Sequence, residues 1–228
     1  MAYRFKSDEP VNHTLIRVAR EQIGKAIAEI DDEGLDRHEV VHQVRKRCKK
    51  LRALIRIVRP ALGNTYKVEN HGFRDAARTL SYVRDAQSLI DTVDDLCARF
   101  DDELDTGFGH DIRARLASRR RRVADDEVDL DRRLEQFRVT MRQAYDRAGD
   151  WSLSEQGFDA LSGGLAKTYA RGRRAMGKAF AAPSAARFHE WRKRTKYHWF
   201  HLRLLRPVWP APMKALCDAA DDLADLLG

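Results

Sequence analysis

Strand signals are almost missing from this chain. No stretch alternates apolar and polar residues over the length of a strand, and Ala, Leu, Arg, Asp and Glu dominate. A sheet-based fold is thereby excluded, and an all-α fold is expected. Long apolar runs are lacking too: none approaches the roughly 18 residues of a membrane span, and the opening MAYRFKSDEP has no apolar core of a secretory signal. Cysteine is scarce. Cys48, Cys97 and Cys217 are odd in number, far apart and in no C-x-x-C pair, which excludes a disulfide framework or a zinc ribbon and points to buried thiols in a reducing compartment. The expected location is the cytoplasm, with no membrane partner. Proline is confined to Pro10, Pro60, Pro183, Pro207, Pro210 and Pro212, where it ends or starts helices without breaking one.

What is present is charge. The 228 residues carry 43 Lys and Arg against 35 Asp and Glu, a net +8, with 43% hydrophobic residues to build a core. A basic balance favours anionic partners. The basicity is uneven: Val93 to Asp105 is acidic, and the closing DAADDLADLLG carries only acids. Periodicity predicts helices over 9–31, 36–58, 68–84, 86–104, 109–147, 155–180, 184–206 and 211–227, with Asp36 and Ser184 as N-caps. Gly63, Gly107 to Gly109 and Gly149 mark loops. Arg119 to Arg122 are balanced by Asp125, Asp126 and Glu127, the pattern of a solvated face.

One helical segment occurs twice. His42 to Pro60 (HQVRKRCKKLRALIRIVRP) and His189 to Pro207 (HEWRKRTKYHWFHLRLLRP) align without a gap at a shift of 147 positions. His42, Arg45, Lys46, Arg47, Lys49, Arg56, Arg59 and Pro60 keep their identity, whereas the apolar positions change: Leu51 opposes His198, Ala53 opposes Phe200 and Ile57 opposes Leu204. A scaffold repeated only to fold would agree in its core; this one agrees in its cations. At about 100° per residue, His42, Arg45, Lys46, Lys49, Arg52 and Arg56 share a sector of roughly 120°. Val44, Cys48, Leu51, Ile55 and Val58 lie opposite. His189, Arg192, Lys193, Lys196 and Arg203 repeat the row, with Trp199 in place of Arg52. A merely solvated face intersperses acids with its cations, and no acid falls on either basic sector. An anionic ligand is expected.

The repeat runs further, since Lys67 meets Lys214, Asp75 meets Asp222, Ala77 meets Ala224 and Leu80 meets Leu227. The expected architecture is a single domain over 1–228 built from two pseudo-symmetric helical bundles, about 9–150 and 151–228. Their basic helices are expected to face a shared groove, with His42 and His189 related by an approximate two-fold. The counterpart of Arg84-Asp85 would fall past Gly228, so the second half is expected to be truncated. Leu216, Ala220, Leu223 and Leu227 should then form an under-covered apolar stripe.

These features resemble the CHAD domain, the conserved histidine α-helical domain. The residues carrying the resemblance are the two H-x-x-R-K-x-x-K helices, Leu80-Ser81-Tyr82-Val83-Arg84-Asp85, Trp151-Ser152-Leu153, Tyr169-Ala170-Arg171-Gly172-Arg173-Arg174 and the closing Leu223-Ala224-Asp225-Leu226-Leu227-Gly228. The resemblance implies an all-helical fold around a basic cavity. It also implies binding of inorganic polyphosphate, recruitment to polyphosphate granules, and no catalytic activity or cofactor. On that reading His42, Arg45, Lys46, Lys49, Arg52, Arg56, His189, Arg192, Lys193, Lys196 and Arg203 hold the polyanion. Arg84, Tyr169, Arg171, Arg173, Arg174 and Lys178 supply secondary contacts. Arg grips phosphate bidentately and Lys adds a point charge, a tolerant array suited to a flexible anion.

Other motifs are weaker. His38-Glu39-Val40-Val41-His42 matches H-E-x-x-H, but its first histidine has no counterpart in the second copy, and the flanking cations oppose a divalent metal. Gly172 to Lys178 matches G-x-x-x-x-G-K without the following Ser/Thr and without a preceding strand. His198 and His201 lie three apart, off the row. No serine has a His–acid arrangement around it. Two alternatives to polyphosphate binding remain: contact with a nucleic-acid backbone, and a metal-dependent phosphate-ester hydrolase.

Overall fold

The computed structural model describes residues 3–6, 8–100, 111–118 and 127–228, with side chains described at all of these except 82–88, 90–91 and 127–128. Every regular element among them is helical, and the protein is all-α. The helices are α1 (Val11–Ile30), α2 (Arg37–Ile57), α3 (Gly63–Thr79), α4 (Ser81–Arg99), α5 (Glu127–Ala148), α6 (Asp159–Ala181), α7 (Ala185–Leu205) and α8 (Pro210–Leu226). A single 3-10 turn, Arg206–Val208, joins the last two, and 111–118 is also helical.

Both expected N-caps form. The Asp36 carboxylate accepts from the His38 and Glu39 amides at 2.7 and 3.0 Å, and Ser184 Oγ accepts from the Arg187 amide at 3.4 Å. These satisfy donors that a helix start leaves unpaired. Gly63 opens α3 instead of sitting in a loop before it. Its φ of +56° turns the chain directly into the helix, so α3 starts at 63 rather than 68 and ends at 79 rather than 84. Gly107 to Gly109, Arg119 to Arg122, Asp125 and Asp126 lie outside the described residues, as does the Glu127 side chain.

Leu15, Val18, Ala19, Ile23 and Ala26 place one face of α1 in the core, and Leu130, Leu134, Phe137, Met141, Ala144 and Ala148 do the same for α5. α1 packs on α5 directly and on α2, which also packs against α3, α4, α6 and α7. Val44, Cys48, Leu51, Ile55 and Val58 are fully buried, as the helical projection requires; so are Ala53, Leu54 and Ile57 on other sides. The C-terminal part of α2 is thus enclosed nearly all round. A smaller cluster of Ala175, Ala179 and Trp191, flanked by Met176, Phe188, Leu223 and Leu227, holds α6, α7 and α8 together.

The shift of 147 reappears in the helices: Gly63–Thr79 maps residue for residue onto Pro210–Leu226, and Arg37–Ile57 maps to within one residue of Ala185–Leu205. Cover differs between the halves. Phe73 and Leu80 are buried, and Glu69 beside them accepts from Arg147 of α5 at 2.9 and 3.2 Å. The counterparts Ala220 and Leu227 are half-buried, and Leu216, standing where Glu69 stands, is 53% exposed. Leu223 is half-buried against the small cluster. Of the three thiols, Cys48 and Cys217 are buried and Cys97 half-buried, all free. Burial pushes the Cys48 thiol up to about 12. No helix of the described residues is long and apolar enough to cross a membrane.

Candidate anion-binding site

The two basic helices meet. Buried His201 of α7 places Nε2 3.1 Å from the Ala53 carbonyl of α2. The Arg56 guanidinium lies over the Tyr197 ring at 3.9 Å. Lys50 on the other flank feels the positive charge of Arg203. Later residues of α2 therefore meet earlier residues of α7, an antiparallel crossing. Under the shift, Arg56 corresponds to Arg203 and Lys50 to Tyr197, so both pairs involve the same two positions of the repeated segment.

The first row divides by depth. His42, Lys46 and Lys49 are exposed, Arg45 and Arg52 half-buried, and Arg56 only 6% exposed. Arg56 is therefore not on an open basic face, as the projection placed it, because the crossing with α7 covers it. Arg59, one turn on and outside the expected set, is 8% exposed. Burial lowers the pKa of both guanidinium groups, and the Tyr66 hydroxyl beside them works the other way. The cations Arg52, Arg171 and Arg194 crowd the pair further. Arg56 Nη1 and Arg59 Nε and Nη2 are buried without a protein acceptor among the described residues.

Two members of the rows have a structural task. Arg45 Nη1 donates to the Ala77 carbonyl at 2.6 Å, and Arg192 Nε to the Ala224 carbonyl at 2.8 Å. Each satisfies a carbonyl that the end of the next helix leaves open, worth about 1.5–3 kcal/mol for a charged donor. Part of the agreement between the two rows is thus explained by folding. Arg52 Nε similarly donates to Asn70 Oδ1 at 3.1 Å.

Acids reach the second row, although none lies in its sector. Glu190 pairs with both Lys193 and Arg194. Lys196 Nζ lies 2.8 Å from Asp221 and 3.3 Å from Asp225 on α8. The signal was available in the acidic closing segment, read at the shift of 147. Trp199 carries Lys196 and Arg203 on its ring, at 5.3 and 4.7 Å. His189 is exposed, and Arg203 lines a cleft of about 560 Å3 with Tyr3, Arg4, Arg206, Pro207 and Pro210.

Among the secondary residues, Arg171 is the one felt by Arg59. The Tyr169 ring meets that of His198 at a tilt of 57°, centroids 5.5 Å apart, and with Arg173 and Arg194 Tyr169 borders a cleft of about 150 Å3. Arg174 and Lys178 are exposed on α6. The Arg84 side chain lies outside the described residues. Gly172 to Lys178 is internal to α6, where the amides serve the helix instead of a phosphate loop. Lys50, which the row did not include, is held down to about 8 by burial and then by Arg47, Arg203, Lys46 and Lys25. Its carbonyl accepts from the Tyr3 hydroxyl at 2.8 Å.

The CHAD domain family model matches residues 17–228, nearly the whole chain. The chain belongs to the CHAD domain family. CHAD domains are associated in general with polyphosphate binding. No curated protein and no solved structure matches this CHAD domain significantly.

Proposed function

We propose that this CHAD domain is a non-enzymatic binder of inorganic polyphosphate, recruited through it to polyphosphate granules in the cytoplasm. The observation that carries the reading is the buried pair Arg56 and Arg59. Buried cations are ordinarily matched by a carboxylate. Here the groups acting most strongly on them are tyrosines and further arginines, and three of their guanidinium nitrogens have no protein acceptor among the described residues. An anion from outside the protein supplies both the charge and the acceptors. Exposed His42, Lys46 and Lys49 then continue along the first row, and a flexible chain of identical phosphates can follow such a track without a base to read.

Nucleic acid shares the phosphates but also needs aromatic faces on which bases stack. Those at this crossing carry cations of the protein itself: Tyr197 bears Arg56, and Trp199 bears Arg203 and Lys196. This favours polyphosphate. The test is a competition at fixed salt between long-chain polyphosphate, single-stranded DNA and orthophosphate. The expected order puts polyphosphate first, with log affinity falling linearly in log salt at roughly 0.7 per phosphate neutralised, by analogy with single strands. DNA binding as tightly as polyphosphate defeats the reading. A chelator-sensitive phosphatase activity of the purified protein would establish the hydrolase instead.

A further inference from the structure

Both copies of the repeated segment close on an Arg-Pro pair, and there they diverge. At the shift of 147, Arg203, Arg206 and Pro207 stand where the first half has Arg56, Arg59 and Pro60. After Pro60 the chain turns inward, leaving Ala61 and Leu62 only 6% and 3% exposed. At the same positions after Pro207, Val208 and Trp209 are 69% and 68% exposed. The Trp209 indole has no ring or cation against it among the described residues, so the packing of the turn does not require it. The arginines differ in the same direction. Arg56 and Arg59 are buried, whereas Arg203 is half-buried and Arg206 exposed. With exposed Arg4 they line the cleft of about 560 Å3 whose other walls are Tyr3, Pro207 and Pro210.

We propose that this cleft is a site for a nucleoside phosphate, with phosphates on Arg4, Arg203 and Arg206 and the base stacked on Trp209. The proposal stands apart from the polyphosphate reading, which is carried by Arg56, Arg59 and the first row. None of the three guanidinium groups forms an ion pair or a hydrogen bond among the described residues; Arg203 lies over the Trp199 ring. Their planar forks are therefore open to phosphate oxygens, which arginine grips bidentately. The positive field of Arg203 reaches Lys50, and that of Arg203 and Arg206 reaches Cys217. Cys217 also feels Asp218 and Asp221, but these acids are engaged by Lys214 and Lys196. Apolar Tyr3, Pro207 and Pro210 suit a ribose and base better than a further run of charges. The volume falls within the roughly 300–1,000 Å3 usual for small-molecule pockets. Trp209 follows Pro207 and precedes Pro210 in the turn that forms one wall. It offers the aromatic face that Tyr197 and Trp199, each covered by an arginine, do not.

The test is calorimetric binding of ADP, with pyrophosphate as the ring-free probe, at fixed salt. The wild-type chain is expected to bind ADP about fivefold or more tighter than pyrophosphate, from the stacking of one base. Trp209→Ala is expected to weaken ADP by about that factor and to leave pyrophosphate unchanged. Arg4→Gln with Arg206→Gln is expected to weaken ADP about tenfold or more through the loss of charge-assisted bonds, with long-chain polyphosphate held within about twofold of wild type. Arg173→Gln with Arg174→Gln, exposed arginines of α6, removes the same charge and is expected to leave ADP affinity unchanged. All the altered side chains except Arg203, which is kept, are exposed, and helical circular dichroism verifies that the variants fold. Equal losses from the two arginine pairs would mean that net charge decides, and would overturn the proposal. Pyrophosphate binding as tightly as ADP, or wild-type protein that does not bind ADP, would overturn it as well. So would a tenfold loss of polyphosphate affinity in the Arg4 and Arg206 variant, since the cleft would then belong to the polymer's track. Failure of the wild type to bind polyphosphate while it binds ADP would overturn the functional reading and uphold this one.

Discussion

His201 shows how one side chain can serve the crossing and set a limit on it. Burial, then the charges of Arg56 and His198, hold its imidazole down to about 3, while the Ala53 carbonyl works in the other direction. The ring is therefore neutral in the folded protein, with Nε2–H donating to Ala53. In the unfolded chain the same ring titrates near 6.5. Above that pH neither state takes a proton, and stability is complete. As pH falls from 6.5 towards 3, the unfolded state gains a proton that the folded state refuses, and stability drops by at most about 1.4 kcal/mol per unit. His198, also lowered by burial, adds in the same sense. Carboxylates such as Glu9, held near 2 by Arg17, lose their contribution only below about 4.5, a separate window. The expected result is a urea midpoint that declines between pH 7 and pH 5, with a smaller decline in His201→Leu. A wild-type midpoint that stays level over that interval would contradict this account.

At the scale of the elements, α6 comes so close to α2 that backbone meets backbone. A Cβ on Gly164 would lie 1.9 Å from the Ile57 carbonyl oxygen, and one on Gly163 would meet Pro60 Cγ at 3.0 Å. A carbonyl in the last turn of a helix cannot step aside as a side chain tip can. Gly164→Ala is expected to cost about 1–3 kcal/mol or more through overpacking, shifting the turn that carries Arg56 and Arg59. Gly177→Ala on the same helix, where nothing lies within 4 Å, is expected to gain about 0.5–1 kcal/mol from helix propensity alone. Thermal midpoints that move in opposite directions verify the pair; a common direction would refute it. Much of this level was legible in the sequence. Asp36 and Ser184 as caps, proline as punctuation and the buried face of α2 all follow from local rules, because caps and apolar spacing act within one helix. The rest depends on neighbours. A projection of α2 puts Arg56 on the polar side and is correct about its direction, yet it does not say that α7 lies there. The same projection reads Arg45 and Arg192 as ligand residues, though a carbonyl one helix further on accepts from each. Glu190, Asp221 and Asp225 escape any search for acids confined to the sector of the row.

Across the whole molecule the cover is unequal. The first half shares the large core, with Phe73, Leu80, Phe137 and Met141 fully enclosed. The outer ends of α6, α7 and α8 rest on Ala175, Ala179 and Trp191 with a half-buried fringe, leaving Leu216 and Leu226 exposed. Local opening is easiest where little apolar packing must be undone. Amides of α8 are thus expected to exchange with deuterium well before those of α3, although the two helices have the same length and the same arginine tie. Mass-spectrometric exchange on peptides spanning 63–79 and 210–226 decides this, and equal protection would refute it.

That shared length and tie also make the α3 and α8 stretches interchangeable cassettes. The 63–79 sequence can be grafted over 210–226 with both splice points kept, and Ala77 still arrives opposite Arg192. One position resists the transplant: Glu69 would arrive without Arg147, a stranded carboxylate, so the graft must retain Leu216 there. A domain rebuilt in this way would present two basic hairpins on an otherwise unaltered frame.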